Sequence, residues 1–330
     1  MQKLALFGLT LLGMAASTPA NAQDVRVGYW ASGASAAIGL VLEEGKFLEA
    51  EGLKPTWTTV TKLAEVNRAL ISRSIDIAVV GGTLPSLRLG AENVPAKIIL
   101  ANLIADANFV VAEQSPIKTL ADLKGKKIGS TPPGSTMHAL VSALLQGNYG
   151  LSERDFQQIP SGEAQLLTFL QRGEIDAALM RTITLRTFGG QAKLRTLGTV
   201  PGEWRKLIKA DSPPLLGVGV ADTAFANSKP DAVVKHIVAN IKATQWGAKN
   251  PGKVADILKR RLQMTEADAQ AFAETWSNSY IASFDEADLT SLLRMAEIFK
   301  AADNFPGTVT RDVFMPQFYA KAKEIVGAQR

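Results

Sequence analysis

Residues 75–80 read Ile75-Asp76-Ile77-Ala78-Val79-Val80, and 100 positions later the chain reads Ile175-Asp176-Ala177-Ala178-Leu179-Met180. Each copy follows an amphipathic helical run and a short turn, Arg73-Ser74 in one case and Arg172-Gly173-Glu174 in the other. A short apolar run bounded by turn residues reads as a buried strand. Upstream, Val27-Gly28 with Gly33 is matched by Ile128-Gly129 with Gly134 at nearly the same offset. A chain that writes one strand–loop–helix–strand plan twice builds two similar α/β lobes. Two such lobes face each other across a cleft, and the cleft is the expected place of function.

Working outward, 330 residues suit two lobes of roughly 100–150 residues each. A hydrophobic fraction of 46% with 20% charged residues is that of a soluble globular protein. The net charge is only +5, and Lys and Arg are scattered among Asp and Glu. A nucleic-acid partner would require a basic stripe or tail, so none is expected.

At the N-terminus, Lys3 precedes an apolar run over residues 4–16 that is too short to span a bilayer. Thr18-Pro19 ends the run, and Ala20-Asn21-Ala22 has the small-x-small form of a signal-peptidase site. Residues 1–22 are therefore expected to be a signal peptide, cleaved after Ala22. The chain has no cysteine, hence no disulfide framework, no thiolate metal site and no lipid-anchoring Cys after the apolar run. The expectation is a freely diffusing, monomeric periplasmic protein with no membrane insertion and no cofactor.

Short β-rich runs near 25–29, 55–60, 75–80, 98–101, 109–112, 127–129, 156–159, 175–180, 194–197 and 215–220 alternate with helical patterns. The fold class read from this is α/β, two lobes, each a doubly wound and mainly parallel sheet. Helices are expected at 36–50, 62–72, 119–123, 136–149 and 163–172. From Lys229 the pattern is helical almost throughout: Val233, Ile237 and Ile241 recur at helical spacing, and Thr265-Glu266-Ala267-Asp268 is a capping-box pattern. These last helices are expected to pack on the first lobe. Crossings near 108–112 and 215–220 divide the chain into a discontinuous first lobe, 24–108 and 216–330, and a second lobe, 109–215. Two crossings make a hinge.

With these residues in hand, the chain resembles the periplasmic solute-binding proteins of the sulfonate, nitrate and taurine type that serve ABC importers. The resemblance is carried by Ile38-Gly39-Leu40 through Glu51-Gly52-Leu53, by Ser74-Ile75-Asp76-Ile77-Ala78 to Pro85, and by Ser115-Pro116-Ile117 through Gly134-Ser135-Thr136-Met137-His138. It implies two α/β lobes, a small anionic solute captured between them, and docking onto a membrane permease.

In an open α/β sheet, ligands bind beyond the carboxyl ends of the strands, where helix N-termini aim N–H groups into the crevice. In the first lobe that rule selects Tyr29, Trp30 and Ser32, then Gly82 and Thr83 with Pro85 opening a helix. In the second it selects Gly134, Ser135 and Thr136, with His138 one turn on, and Arg181 with Thr182. Ser135 has the competing role of a helix cap, and Gly81-Gly82 that of a tight turn. Trp30 is placed to enclose the apolar part of a ligand. Arg181 is the sharpest residue, because it ends an apolar strand and its planar fork matches a carboxylate or sulfonate. Relatives of the resembled type often carry an aromatic or acidic residue in this neighbourhood, so Arg181 departs from their pattern. Its competing role is a salt bridge between the lobes to a carboxylate such as Glu163.

The remaining polar residues have blander expectations. His236 is expected at the surface of a C-terminal helix, and Phe314, Phe318 and Tyr319 in the core. Asp76 and Asp176 read as structural residues, since their duplication suits fold maintenance better than acid–base work. No Walker pattern, Ser-His-Asp order or metal-ligand cluster stands out. Two alternatives share the fold: a periplasmic sensor for a membrane receptor, and a pyrimidine-synthase-like enzyme, whose histidines and cysteine-rich segment this chain lacks.

Overall fold

The computed structural model describes residues 22–31, 33–61, 63–188, 192–302 and 306–329. The expected signal segment lies outside these residues up to position 21, as does Ser32.

Two sheets organise the chain. The first holds β1 (Gln23–Trp30), β2 (Leu53–Val60), β3 (Ile77–Gly82), β4 (Ala96–Ile104), β10 (Leu215–Asp222) and β11 (Tyr280–Ser283), in the order β11-β4-β10-β3-β1-β2. The second holds β5 (Ala107–Ala112), β6 (Lys127–Ser130), β7 (Gln157–Pro160), β8 (Ala177–Arg181) and β9 (Leu194–Thr199), in the order β7-β6-β8-β5-β9. The core of one order, β2-β1-β3-β10, is thus repeated in the other as β7-β6-β8-β5.

The repeated sequence supplies the same joint in each sheet. Val27 and Gly28 pair with Ile77 and Ala78, while Ile128 and Gly129 pair with Ala177 and Ala178. A Cβ on Gly28 would lie 2.7 Å from Ile75 Cδ1, and one on Gly129 would lie 2.7 Å from Ile175 Cδ1. A side chain at either position would force the isoleucine to move, so glycine suits the point where the isoleucine crosses the strand. Just before it, Asp76 Oδ2 accepts the Arg26 N–H at 2.8 Å and Asp176 Oδ2 accepts the Lys127 N–H at 2.8 Å. Both aspartates fasten strands at the end remote from the cleft.

The strands are mixed rather than mainly parallel. β1/β2, β1/β3, β6/β7 and β6/β8 run parallel, whereas β10 opposes β3 and β4, β11 opposes β4, and β5 opposes β8 and β9. The reason is the hinge. β5 and β10 are the strands entered directly after a crossing, so they start at the cleft and run away from it. At the hinge, the Ala105 N–H donates to Pro214 O at 2.8 Å, holding the outgoing and returning chains together.

Helices cover both sheets. In chain order they are α1 (Gly33–Glu44), α2 (Phe47–Ala50), α3 (Leu63–Ile71), α4 (Thr83–Ala91), α5 (Thr136–Tyr149), α6 (Glu163–Gln171), α7 (Thr182–Phe188) and α8 (Val200–Ile208). The C-terminal set is α9 (Thr223–Ser228), α10 (Pro230–Lys249), α11 (Pro251–Leu262), α12 (Glu266–Glu274), α13 (Trp276–Ser279), α14 (Glu286–Ala301) and α15 (Pro316–Ala328). The single helix expected over 36–50 is broken at Gly45-Lys46, where Lys46 takes φ 50°. The segment expected as a helix near 119–123 is a four-residue 3-10 turn, Leu120–Leu123. The C-terminal helices pack on the first sheet, but α12 also meets α7, and α14 meets α5, of the second. Phe314, Phe318 and Tyr319 are buried as expected.

Candidate functional site

The carboxyl ends of β1, β3, β6, β7 and β8 face one cleft, and the helices that follow start there. α4 opens with Gly82 as N-cap and Thr83 as its first residue. Pro85 has no N–H, so the first turn of α4 offers only the Thr83 and Leu84 donors. The Leu84 N–H reaches across the cleft to Thr136 Oγ1 at 3.0 Å, in the first turn of α5. Two helix N-termini from opposite lobes thus converge. Each carries roughly half a positive charge, so an anion between them relieves their mutual repulsion.

Two hydroxyls in the first turns of helices that start at the cleft, α4 and α1, have no partner among the described residues. Thr83 is wholly buried and Ser35, in the first turn of α1, is 5% exposed; Oγ1 of the first and Oγ of the second make no hydrogen bond. A buried polar atom of that kind costs free energy unless something pairs with it. Thr136 accepts from Leu84, and its own hydroxyl hydrogen has no protein acceptor among the described residues.

Ser135 is spent differently. Its Oγ donates to Pro132 O at 2.7 Å, accepts the His138 N–H at 3.3 Å and lies 2.7 Å from Thr131 Oγ1. The capping role is therefore the one observed, with Gly134 at φ 82° making the turn before it. His138 Nδ1 lies 3.0 Å from both Ser130 Oγ and Thr131 O. A carbonyl only accepts, so Nδ1 bears the hydrogen and the ring is tied beneath its own loop.

Arg181 and Glu163 form a close pair. Arg181 Nε donates to Glu163 Oε1 at 2.7 Å, its backbone N–H lies 3.3 Å from Oε2, and the Thr184 hydroxyl also donates to Oε2. Both residues belong to the second lobe, so the bridge anticipated between lobes is a bridge within one. The geometric cause is the sheet order, which sets the start of α6 beside the end of β8. The carboxylate raises the Arg181 guanidinium above its ordinary value and keeps it charged. Its terminal Nη groups have no protein acceptor among the described residues, and a quarter of the side chain is exposed.

Across the cleft from Arg181 lies Tyr280 on β11, stacked on Trp276 at 4.1 Å. Its hydroxyl donates to Ala34 O at 2.6 Å. Burial drives this phenol far above its ordinary value, so it stays neutral.

Three further candidates are held by partners within the protein. Tyr29 is 1% exposed, its ring lies beneath Gly39 of α1, and its hydroxyl donates to Glu43 at 2.6 Å. It is a core residue of the first lobe, because the pleat turns it away from the cleft. Trp30 is half-buried and its Nε1 donates to Thr61 O at 3.0 Å. Thr182 is a hinge residue: its hydroxyl donates to Asp106 Oδ1 at 2.7 Å and accepts from Asn108 Nδ2 at 3.0 Å. His236, expected at the surface, is 1% exposed, because α10 is covered on several sides by α1, α2, α15 and β11.

Ser35, Leu84 and Tyr280 were not singled out in the sequence. Ser35 lies in a run of small residues that reads as ordinary helix, and Tyr280 follows about fifty residues of helical pattern.

A separate groove of about 520 Å³ lies at the opposite end of the first sheet, lined by Asp24, Arg26, Asp76, Asp222 and Lys229. Among its charges, Arg26 pairs with Asp76 at 2.5 Å, and Asp222 with Arg73, from outside the lining, at 3.5 Å. Among the described residues no group of His, Cys, Asp and Glu is arranged to hold a metal ion, and no helix is long and apolar enough to cross a membrane.

Two mixed α/β lobes joined at a double crossing, with helix N-termini converging from both sides, define the class of two-lobed solute-binding folds. The chain belongs to the family of ABC transporter, phosphonate, periplasmic substrate-binding proteins, whose model matches residues 48–217. A binding protein of Brucella abortus is 27% identical over 274 residues, covering 82% of this chain and 80% of that protein. An aliphatic sulfonates-binding protein of Escherichia coli is 31% identical over 181 residues, covering 53% of this chain and 54% of the relative. In structure, the chain is similar to the periplasmic aliphatic sulphonate binding protein SsuA from Escherichia coli, with a TM-score of 0.75 at 19% identity over 89% of this chain and 92% of that one. The desulfurization enzyme DSZB shares the fold at a TM-score of 0.63 and 15% identity, over 93% of this chain and all of that one.

Proposed function

We propose that this chain captures a small organic anion, a sulfonate or a carboxylate, in the interlobe cleft and delivers it to the permease of an ABC importer. The observation that carries this reading is the meeting of α4 and α5 at the cleft, with the hydroxyls of Thr83 in α4 and Ser35 in the first turn of α1 unpartnered among the described residues. Amide and hydroxyl hydrogens aimed at one point suit negatively charged oxygen. Arg181 supplies a fork whose terminal donors have no acceptor among the described residues, and half-buried Trp30 offers an apolar face. The names borne by the Escherichia coli relatives support an oxyanion of this kind.

The test is a thermal-shift screen of sulfonates, aliphatic and aromatic carboxylates and nitrate, followed by calorimetry on the hits and a check for turnover. An anion should raise the melting temperature and emerge chemically unchanged. Arg181→Ala should weaken its binding by roughly 2–5 kcal/mol, the range for truncating one partner of a buried charged contact. Stabilisation by neutral or cationic compounds alone would overturn the reading, and conversion of the bound compound would favour an enzyme.

A further inference from the structure

We propose that Glu163 limits the charge of the ligand: the cleft admits an organic monoanion such as a sulfonate and turns away the dianionic phosphonate of the same skeleton. The inference rests on the anion reading above and narrows it. Phosphonate and sulfonate, the two head groups named among this chain's family and relatives, share a tetrahedral shape and differ by one charge when fully ionised.

Glu163 is a buried carboxylate, its side chain 6% exposed, at the first position of α6. Arg181 Nε, the Arg181 N–H and the Thr184 hydroxyl occupy its two oxygens. So held, the carboxylate cannot swing away from a ligand, nor take up a cationic group from one. It also cancels the formal charge of Arg181, and the pair is neutral as a unit. The attraction left for a ligand is that of the α4 and α5 N-termini, about half a charge each, plus uncharged hydroxyl donors. These sum to about one positive charge, which matches one negative charge on the ligand. A second negative charge would meet a fixed carboxylate across a shared guanidinium, where burial screens the repulsion poorly. Arg181 then acts as a directional donor, while Glu163 decides how much charge it can receive.

Calorimetry with matched pairs tests this, namely ethanesulfonate with ethylphosphonate and benzenesulfonate with phenylphosphonate. They are titrated into the mature protein at alkaline pH, where the phosphonates have lost both protons, and again on the acid side of their second ionisation. The wild-type protein should bind a sulfonate at least about tenfold more tightly than its alkaline phosphonate. That gap should narrow as the phosphonate regains a proton. Glu163→Gln should close the alkaline gap by about tenfold, and Glu163→Asp, which keeps the charge, should preserve it. Because the readout is a ratio within each protein, a general loss of affinity or stability does not mimic it. Equal binding of sulfonate and dianionic phosphonate by the wild-type protein, or a gap unchanged in Glu163→Gln, overturns the inference and leaves the anion reading standing. Failure of both members of both pairs to bind the wild-type protein, at either pH, overturns this inference, and the anion reading falls with it only if the carboxylates and nitrate of the thermal-shift screen also fail to bind.

Discussion

At the scale of single residues, His236 shows how burial turns an ordinary side chain into a pH-dependent one. It is enclosed on α10, its Nδ1 has no partner among the described residues, and burial lowers its pKa from 6.5 to about 4. Between those values the unfolded chain takes up a proton that the folded chain refuses. Stability should therefore be level above about pH 6.5 and fall as pH drops toward 4, by roughly 3 kcal/mol in all. Urea unfolding across that range should show the slope, and His236→Gln should flatten it; an unaltered slope in the variant would assign acid sensitivity elsewhere. The neighbouring Asn240 and Asn102 do not relieve the ring. Asn240 Nδ2 donates to the backbone oxygen of His236 at 2.8 Å, and Asn102 Nδ2 lies 3.4 Å from Asn240 Oδ1.

At the scale of elements, the twin joints at the feet of β1 and β6 should respond alike but unequally. Asp76→Ala removes the acceptor of the Arg26 N–H and the partner of its guanidinium, whereas Asp176→Ala removes only the acceptor of the Lys127 N–H. Asp76 is also 7% exposed, so its loss should cost about 1–3 kcal/mol and that of Asp176 less. Denaturant midpoints would show this, with affinity for a cleft ligand unaffected in either variant. These joints were legible in the sequence because glycine, aspartate and isoleucine recur there at fixed offsets. The N-terminus of α5 was legible for a similar reason, its cap and turn being local chemistry. Strand direction was not, because β5 and β10 owe theirs to where the chain re-enters a sheet. The Glu163–Arg181 pair shows the same limit. Both residues could be picked out, and the expected bounds 109–215 already put them in one lobe, but only the order β7-β6-β8 sets the start of α6 beside the end of β8. Tyr29 and Trp30 are neighbours in sequence, and nothing but the pleat sends one into the core and leaves the other half-exposed.

At the scale of the whole molecule, contacts between the lobes govern closure. The Leu84 N–H to Thr136 hydroxyl bond spans them, as does the exposed Arg186–Glu274 pair at 3.5 Å between α7 and α12. The buried hydrogen bond should matter more than the exposed ion pair, whose worth is about 0–1 kcal/mol. Thr136→Val keeps the shape and leaves the Leu84 N–H unpaired when the lobes meet, at about 1–3 kcal/mol. Small-angle scattering of the ligand-free variant should report a larger radius of gyration than the parent, and Glu274→Gln should report little change. Equal radii for parent and Thr136→Val would mean that other contacts hold the lobes together.

The order β11-β4-β10-β3-β1-β2 leaves one consequence for the nascent polypeptide. β10, near the middle of the first sheet, is the second-to-last strand to be made, whereas the second sheet is strung on one uninterrupted stretch of chain. Until residue 222 is available, β3 and β4 lack the strand that lies between them. The early half of the chain therefore cannot complete its own framework, and a polypeptide in that condition stays threadable until late in its synthesis.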